Sequence, residues 1–200
     1  ANRNCPQQDM PEITGVLLAA GHSRRFGGNK LVAEIDKLAL VLHAAASLSP
    51  CARLLAVVRR DDLPLQKLLN EASIELVFND RIDSDMGGSI ACGVSASKHS
   101  DGWCLLPADM PFVLPSTTQH IITALHQKAS LAAPFYNGRR GHPVGFGHDL
   151  VNELMALDKE PGARGILEKN MHRLTMINTN DAAILADIDT PDDLLNSSRP

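Results

Sequence analysis

At 200 residues, with 44% hydrophobic and 21% charged positions, the chain has the make-up of one ordinary globular domain with a substantial core. Its formal net charge of −4 argues against a general nucleic-acid binder, because nothing offsets phosphate repulsion over a broad surface. No apolar run approaches the ~20 residues of a membrane span, and Cys5, Cys51, Cys92 and Cys104 form no C-x-x-C pair, as expected of reduced thiols in a cytosolic protein.

Residues 1–12 lack the apolar core of a signal peptide and read as a disordered leader. Ile13 and the run Val16-Leu17-Leu18-Ala19-Ala20 make one buried strand that stops at Gly21. The next nine residues hold Ser23, Arg24, Arg25, Gly27, Gly28 and Lys30. Glycines let backbone N–H groups turn toward a ligand, and a strand followed by such a loop with cations at its end suits a polyphosphate. It is not a P-loop, since Lys30 follows Asn29 and precedes Leu31, and G-x-G-x-x-G is absent.

Further along, Leu38 to Leu48 is an apolar helix, Leu54 to Val58 a strand, Leu63 to Glu71 a helix and Ile74 to Phe78 a strand. After the glycine-bearing loop Asn79 to Ser89, a small-residue helix runs from Ser89 to Lys98, and Gly102 to Leu106 is a strand ending at Pro107-Ala108-Asp109-Met110-Pro111. Pro115 opens a helix to His126, Leu131 to Pro134 and Pro143 to Phe146 are extended, and a turn at Tyr136 to Gly141 lies between them. Helices follow at Leu150 to Leu157 and Ala163 to Lys169, strands at His172 to Ile177 and Ile184 to Ile188, and a last helix at Pro191 to Leu195 capped by Thr190. Alternation at this spacing predicts an α/β fold with a mostly parallel sheet covered on both faces, and ligands at the carboxyl ends of its strands.

Asp109 is the sharpest single position, on a stiff loop between two prolines at that ligand edge. A carboxylate there can hold Mg²⁺ against phosphate oxygens, or simply serve the turn. In an extended segment Asp187 and Asp189 point to the same side, while Asp192 and Asp193 in the first turn of the last helix suit its dipole. A lone histidine such as His142 is more often packed than functional, but Gly141, Pro143 and Arg139-Arg140 around it suit contact with a phosphate.

Leu18-Ala19-Ala20-Gly21, Ser23, Arg25, Gly27 and Lys30 fit the pattern L-A-A-G-x-S-x-R-x-G-x-x-K. In this the chain resembles the nucleotidyltransferases that build nucleotide-bearing molybdenum cofactors, and most of all the molybdenum cofactor cytidylyltransferases. Pro107-Ala108-Asp109-Met110-Pro111 resembles that family's x-x-D-M-P element, Gly141-His142-Pro143 its G-H-P, and Asp187-Ile188-Asp189-Thr190-Pro191 its D-I-D-T-P. Gly162-Ala163-Arg164 is similar to a G-A-R element, with Lys159-Glu160 in place of the usual Gly-Asp, and Arg164 is also readable as purely structural.

The resemblance implies a single three-layer α/β/α domain of Rossmann-like, nucleotide-diphospho-sugar transferase type over residues 13–196, followed by a tail at 197–200. It implies Mg²⁺-dependent transfer of CMP from CTP to the terminal phosphate of molybdopterin or molybdenum cofactor, with release of pyrophosphate. Arg25, Lys30 and Asp109 are then catalytic. Leu18, Ala19, Ala20, Gly21, Ser23, Gly27, Lys30, Asn79, Gly87 and Ser89 hold the nucleotide, and Arg140, Gly141 and His142 meet the acceptor. The metal falls to Asp109 with one of Asp187 and Asp189.

In the loop that meets the base, the chain carries Asn79-Asp80 and Asp85-Met86-Gly87 where the family commonly has Asn-Pro and Gly-Met-Gly. A guanylyl or sugar-phosphate transferase, or a cofactor-handing chaperone without catalysis, are the competing readings; pyrophosphate release separates the last from the rest. A cytoplasmic protein in passing contact with a recipient molybdoenzyme, and with neither nucleic acid nor membrane, completes the expectation.

Overall fold

The computed structural model describes residues 11–21, 26, 29–80, 86–157 and 162–196, without the side chains of 195 and 196. In chain order the elements are β1 (Ile13–Leu18), β2 (Glu34–Ile35), β3 (Leu38–Ala39), α1 (Leu40–Ser47), β4 (Arg53–Val58), α2 (Leu63–Glu71), β5 (Glu75–Phe78), α3 (Met86–Ala96) and β6 (Gly102–Pro107). They continue with α4 (Pro115–His126), β7 (Leu131–Tyr136), β8 (Arg139–Arg140), β9 (Val144–Gly147), α5 (Val151–Met155), α6 (Ala163–Lys169), β10 (Leu174–Asn178) and α7 (Pro191–Asn196).

The main sheet is eight-stranded in the order β10-β7-β9-β6-β1-β4-β5, with the two-residue β8 added to β7. β1 lies parallel between β4 and β6, whereas β9 runs antiparallel to both β6 and β7. A strand in this central position is covered on both faces, so β1 is buried almost along its whole length, and its one polar side chain, Thr14, is paired with the Ser100 hydroxyl. One face packs Leu17, Ala56, Val58 and Leu106 against α1, α2 and α4. The other packs Val16, Leu55, Val57, Trp103 and Leu105 against α3, α5 and α6. The three-layer α/β/α architecture is therefore as expected.

Small residues let α3 approach the sheet: a Cβ on Gly93 would stand 2.6 Å from Val16 Cγ1. Helix ends follow local chemistry. Asp62 accepts from the Leu65 amide at the start of α2, and Thr190 and Asp193 cap each other's backbone at the start of α7.

Three local expectations are corrected. Leu38 and Ala39 form β3, paired with β2, so the helix starts at Leu40. Helix α3 begins at Met86, three residues before Ser89. Ile184 to Ile188 is not a strand: residues 182–185 make a 3₁₀ turn, and Ile188 then hydrogen-bonds the Asp109 carbonyl instead of joining the sheet. Pro11 and Glu12, assigned to the leader, are held to the body, the Glu12 amide donating to Asp101 at 2.8 Å; residues 1–10 and 197–200 lie outside the described residues.

Candidate functional site

The chain leaves β1, visits β4 and β5 on one side, and then crosses to β6 on the other. Strand order thus reverses between β1 and β6, where a parallel sheet opens a crevice at its carboxyl edge. The loop after β6 is fastened to β1 by Ala108 N–H donating to the Leu18 carbonyl at 3.1 Å, and Ile188 N–H donates to the Asp109 carbonyl at 2.9 Å. These bonds bring residues far apart in sequence to one place.

Lys30 sits at the centre of it. Its Nζ donates to Asp109 Oδ2 at 2.9 Å, to the Ile188 carbonyl at 2.8 Å and to Asp189 Oδ1 at 3.1 Å. The side chain is almost wholly buried. Burial alone would pull its amine down, yet the hydrogen bonds and charges of Asp109 and Asp189 outweigh that and hold it above the ordinary value. Asp109, Asp187 and Asp189 each offer a carboxylate oxygen within 4.8 Å of the others. The structure thus brings together both acidic segments singled out in the sequence. Asp193 lies beside them, but its carboxylate is spent on the Thr190 hydroxyl and on the amides of Thr190 and Asp189, which hold its pKa below the usual range.

Of the first loop, Leu18, Ala19, Ala20 and Gly21 stand at the end of β1, while Ser23, Arg25 and Gly27 lie outside the described residues. Among the described residues, a Cβ on Gly21 would meet nothing within 4 Å. The Gly21 carbonyl accepts from Arg59 Nη1 at 3.4 Å. Arg59 stands just past the end of β4, at the ligand edge of the sheet.

Asn79 and Ser89 are hydrogen-bonded to each other. Asn79 Nδ2 donates to Ser89 Oγ at 3.1 Å, tying the end of β5 to the first turn of α3, and both residues are buried, as is Gly87.

On the far side of β6, Arg140 and His142 line a cleft of about 190 Å³ with Leu18, Met86, Val144 and Arg164, mostly apolar in character. Gly141 has a packing reason to be glycine: a Cβ there would come within 2.6 Å of the Ile184 side chain and closer still to its carbonyl oxygen. The His142 amide donates to that same carbonyl at 3.0 Å. The imidazole is pulled down to about 4 by burial first and by the charge of Arg140 second. It is therefore neutral at pH 7, and its Nδ1 is buried without a hydrogen-bond partner among the described residues. Arg164, left open between structure and function in the sequence, lies at the cleft and pairs with Glu168 one turn on.

Residues 15–174 match the MobA-like NTP transferase domain. A molybdenum cofactor guanylyltransferase of Shewanella frigidimarina is 30% identical, covering 67% of this chain and 67% of its own length. The nicotine blue oxidoreductase of Paenarthrobacter nicotinovorans is 25% identical over 91% of this chain and 94% of that protein. In fold, the chain is similar to Rv0371c from Mycobacterium tuberculosis, with a TM-score of 0.81 at 23% identity over 94% of this chain and 100% of that one. The same protein is also known as a complex with manganese, which superposes with a TM-score of 0.77 at 22% identity over 94% of this chain and 100% of that one. The match over residues 15–174, on a fold whose strand ends gather a lysine and three carboxylates, establishes that this chain belongs to the MobA-like NTP transferase family of nucleotidyltransferases.

Proposed function

We propose that the chain transfers a nucleotidyl group from a nucleoside triphosphate, CTP in preference, to the terminal phosphate of a molybdopterin-type acceptor, releasing pyrophosphate. The observation that carries this reading is the convergence of Asp109, Asp187 and Asp189 on one side of the β1/β6 crevice, beside Lys30. An all-oxygen, carboxylate-rich donor set suits a hard divalent cation such as Mg²⁺. Bound there, such an ion would neutralise phosphate charge and align the reacting oxygens.

The chain's own residues supply the rest by placement and charge, since phosphoryl-type transfer asks little covalent chemistry of the protein. Backbone N–H groups of the loop from Gly21 to Gly28 would cradle the triphosphate, and Lys30 and Arg25 would meet charge that grows on the α-phosphate and the leaving pyrophosphate. On the acceptor side, Arg140 would hold the terminal phosphate. His142, neutral at pH 7, would form part of the wall of the apolar cleft on which the ring system rests, without adding charge there. No protein nucleophile is needed, because the acceptor phosphate is already ionised.

For the base, the Cβ of Ala20, half-buried at the end of β1 and packed on the core, supports a narrower slot and so cytosine. The relatives named molybdenum cofactor guanylyltransferase support GTP as the second reading. Pyrophosphate release with molybdenum cofactor and each nucleotide tests the proposal; no release with any nucleoside triphosphate would leave a binding protein in its place.

A further inference from the structure

The position of Lys30 has a consequence for how the site fills. An ammonium has three N–H donors, and here all three are engaged, by Asp109 Oδ2, the Ile188 carbonyl and Asp189 Oδ1. Two of those acceptors belong to the carboxylate triad. The hydrogen bond from Ile188 N–H to the Asp109 carbonyl holds the two acidic segments against each other, on either side of Nζ. The lysine thus stands in the ground that a divalent ion would need, and two cations sharing the same carboxylates repel at short range in a partly buried site.

We infer that Lys30 is an internal counter-ion that keeps the triad closed to a divalent cation until a polyphosphate arrives. This rests on the reading of Asp109, Asp187 and Asp189 as the metal site. The polyphosphate gives the ammonium a new anionic acceptor, and its own oxygens replace ligands that the triad alone does not supply. Drawing Lys30 away uncovers Asp109 and Asp189, so cation and polyphosphate favour each other's binding through one side chain, and by linkage the favour is equal in both directions. The same residue that meets phosphate charge in the loaded enzyme therefore sets the order in which it is loaded.

The test is binding of Mn²⁺ alone, without nucleotide, followed by electron paramagnetic resonance of the free ion on the wild type, Lys30→Met, Lys30→Gln and the double variant Lys30→Met with Asp109→Asn. Both single variants should bind Mn²⁺ at least ~10-fold more tightly than the wild type, within the usual range of coupling between sites, and the double variant should lose that gain. Wild-type binding as tight as that of Lys30→Met and Lys30→Gln, with loss only in the double variant, overturns the counter-ion role and leaves the metal site standing. Binding that ignores Asp109→Asn overturns the metal site itself.

A second reading needs no substitution. The ¹⁵N-detected ammonium signal of Lys30 in the wild type should stay put when Mg²⁺ is added alone and move when inorganic tripolyphosphate is added with it. Movement with Mg²⁺ alone sinks the inference even if neither variant folds.

Discussion

Lys30 Nζ and Asp109 Oδ2 lie 2.9 Å apart across 79 residues of sequence, at the two loops that flank the crevice between β1 and β6. Asp109→Asn keeps the shape and removes the charge. If Asp109 anchors a cation on the triphosphate, turnover should fall by at least about 10²-fold, the scale of losing one key electrostatic group. Stability should fall by only about 1 kcal/mol, because Lys30 keeps Asp189 and the Ile188 carbonyl. Steady-state pyrophosphate release and urea melts of both proteins check this; near wild-type turnover would reduce Asp109 to a partner of Lys30. The raised pKa of Lys30 also fixes a sign: its stabilisation is complete below the unfolded lysine value near 10.5 and is lost only as pH rises through the higher folded value.

His142 gives a second pH dependence, at the acid end. In the unfolded chain its imidazole takes a proton near 6.5, whereas in the fold it stays neutral down to about 4. Between those values the unfolded state binds the extra proton, so stability falls as pH drops, by about 3 kcal/mol in all at 1.36 kcal/mol per unit. His142→Gln should flatten this part of the curve. Urea midpoints at pH 7 and pH 4.5 measure it, and an equal acid loss in both proteins would show that the carboxylates, not His142, carry the acid sensitivity.

Gly141→Ala should be costly for its size. The added methyl meets the Ile184 backbone carbonyl and Cβ, which cannot swing aside as a side-chain tip would. About 1–3 kcal/mol of stability should be lost. Since the His142 amide is bonded to the same carbonyl, KM for the acceptor should rise more than KM for the nucleotide. A variant with unchanged melting temperature would show that residues 182–185 yield easily.

The legible parts of the sequence were those whose cause is local. Helix α2 and helix α4 start where their sequence patterns start, because proline at the first turn and, for α2, the Asp62 cap lie within a few residues. Residues 184–188 have a strand-like composition, but Ile184 is buried by a 3₁₀ turn and Ile188 by the Asp109 loop, not by sheet pairing. The carboxylate cluster was legible as two motifs, yet the ammonium inside it was not. Lys30 meets partners up to 159 residues away, a separation that no window of sequence spans. The hydrogen bond between Asn79 and Ser89 joins residues on two elements, and no local pattern announces it.

The last prediction concerns the base. Phosphate and metal contacts are common to every nucleoside triphosphate, so discrimination must come from the walls around the base. Ala20 stands at the end of β1, half-buried, its side chain packed on the core face that also holds Leu18 and Val77. A pocket narrowed there excludes a purine sterically and leaves polar groups unpaired if one is forced in. Wild type should therefore release pyrophosphate faster with CTP than with GTP at equal concentration, and Ala20→Gly should shrink that ratio, chiefly by raising kcat/KM for GTP. One methyl group is worth about 1–3 kcal/mol of discrimination, so a shift of roughly 10- to 200-fold is the size to look for. Equal or greater turnover of wild type with GTP removes the cytidylyl assignment and leaves the nucleotidyltransferase family untouched. A CTP preference that survives Ala20→Gly unchanged places the selecting contacts elsewhere on the rim.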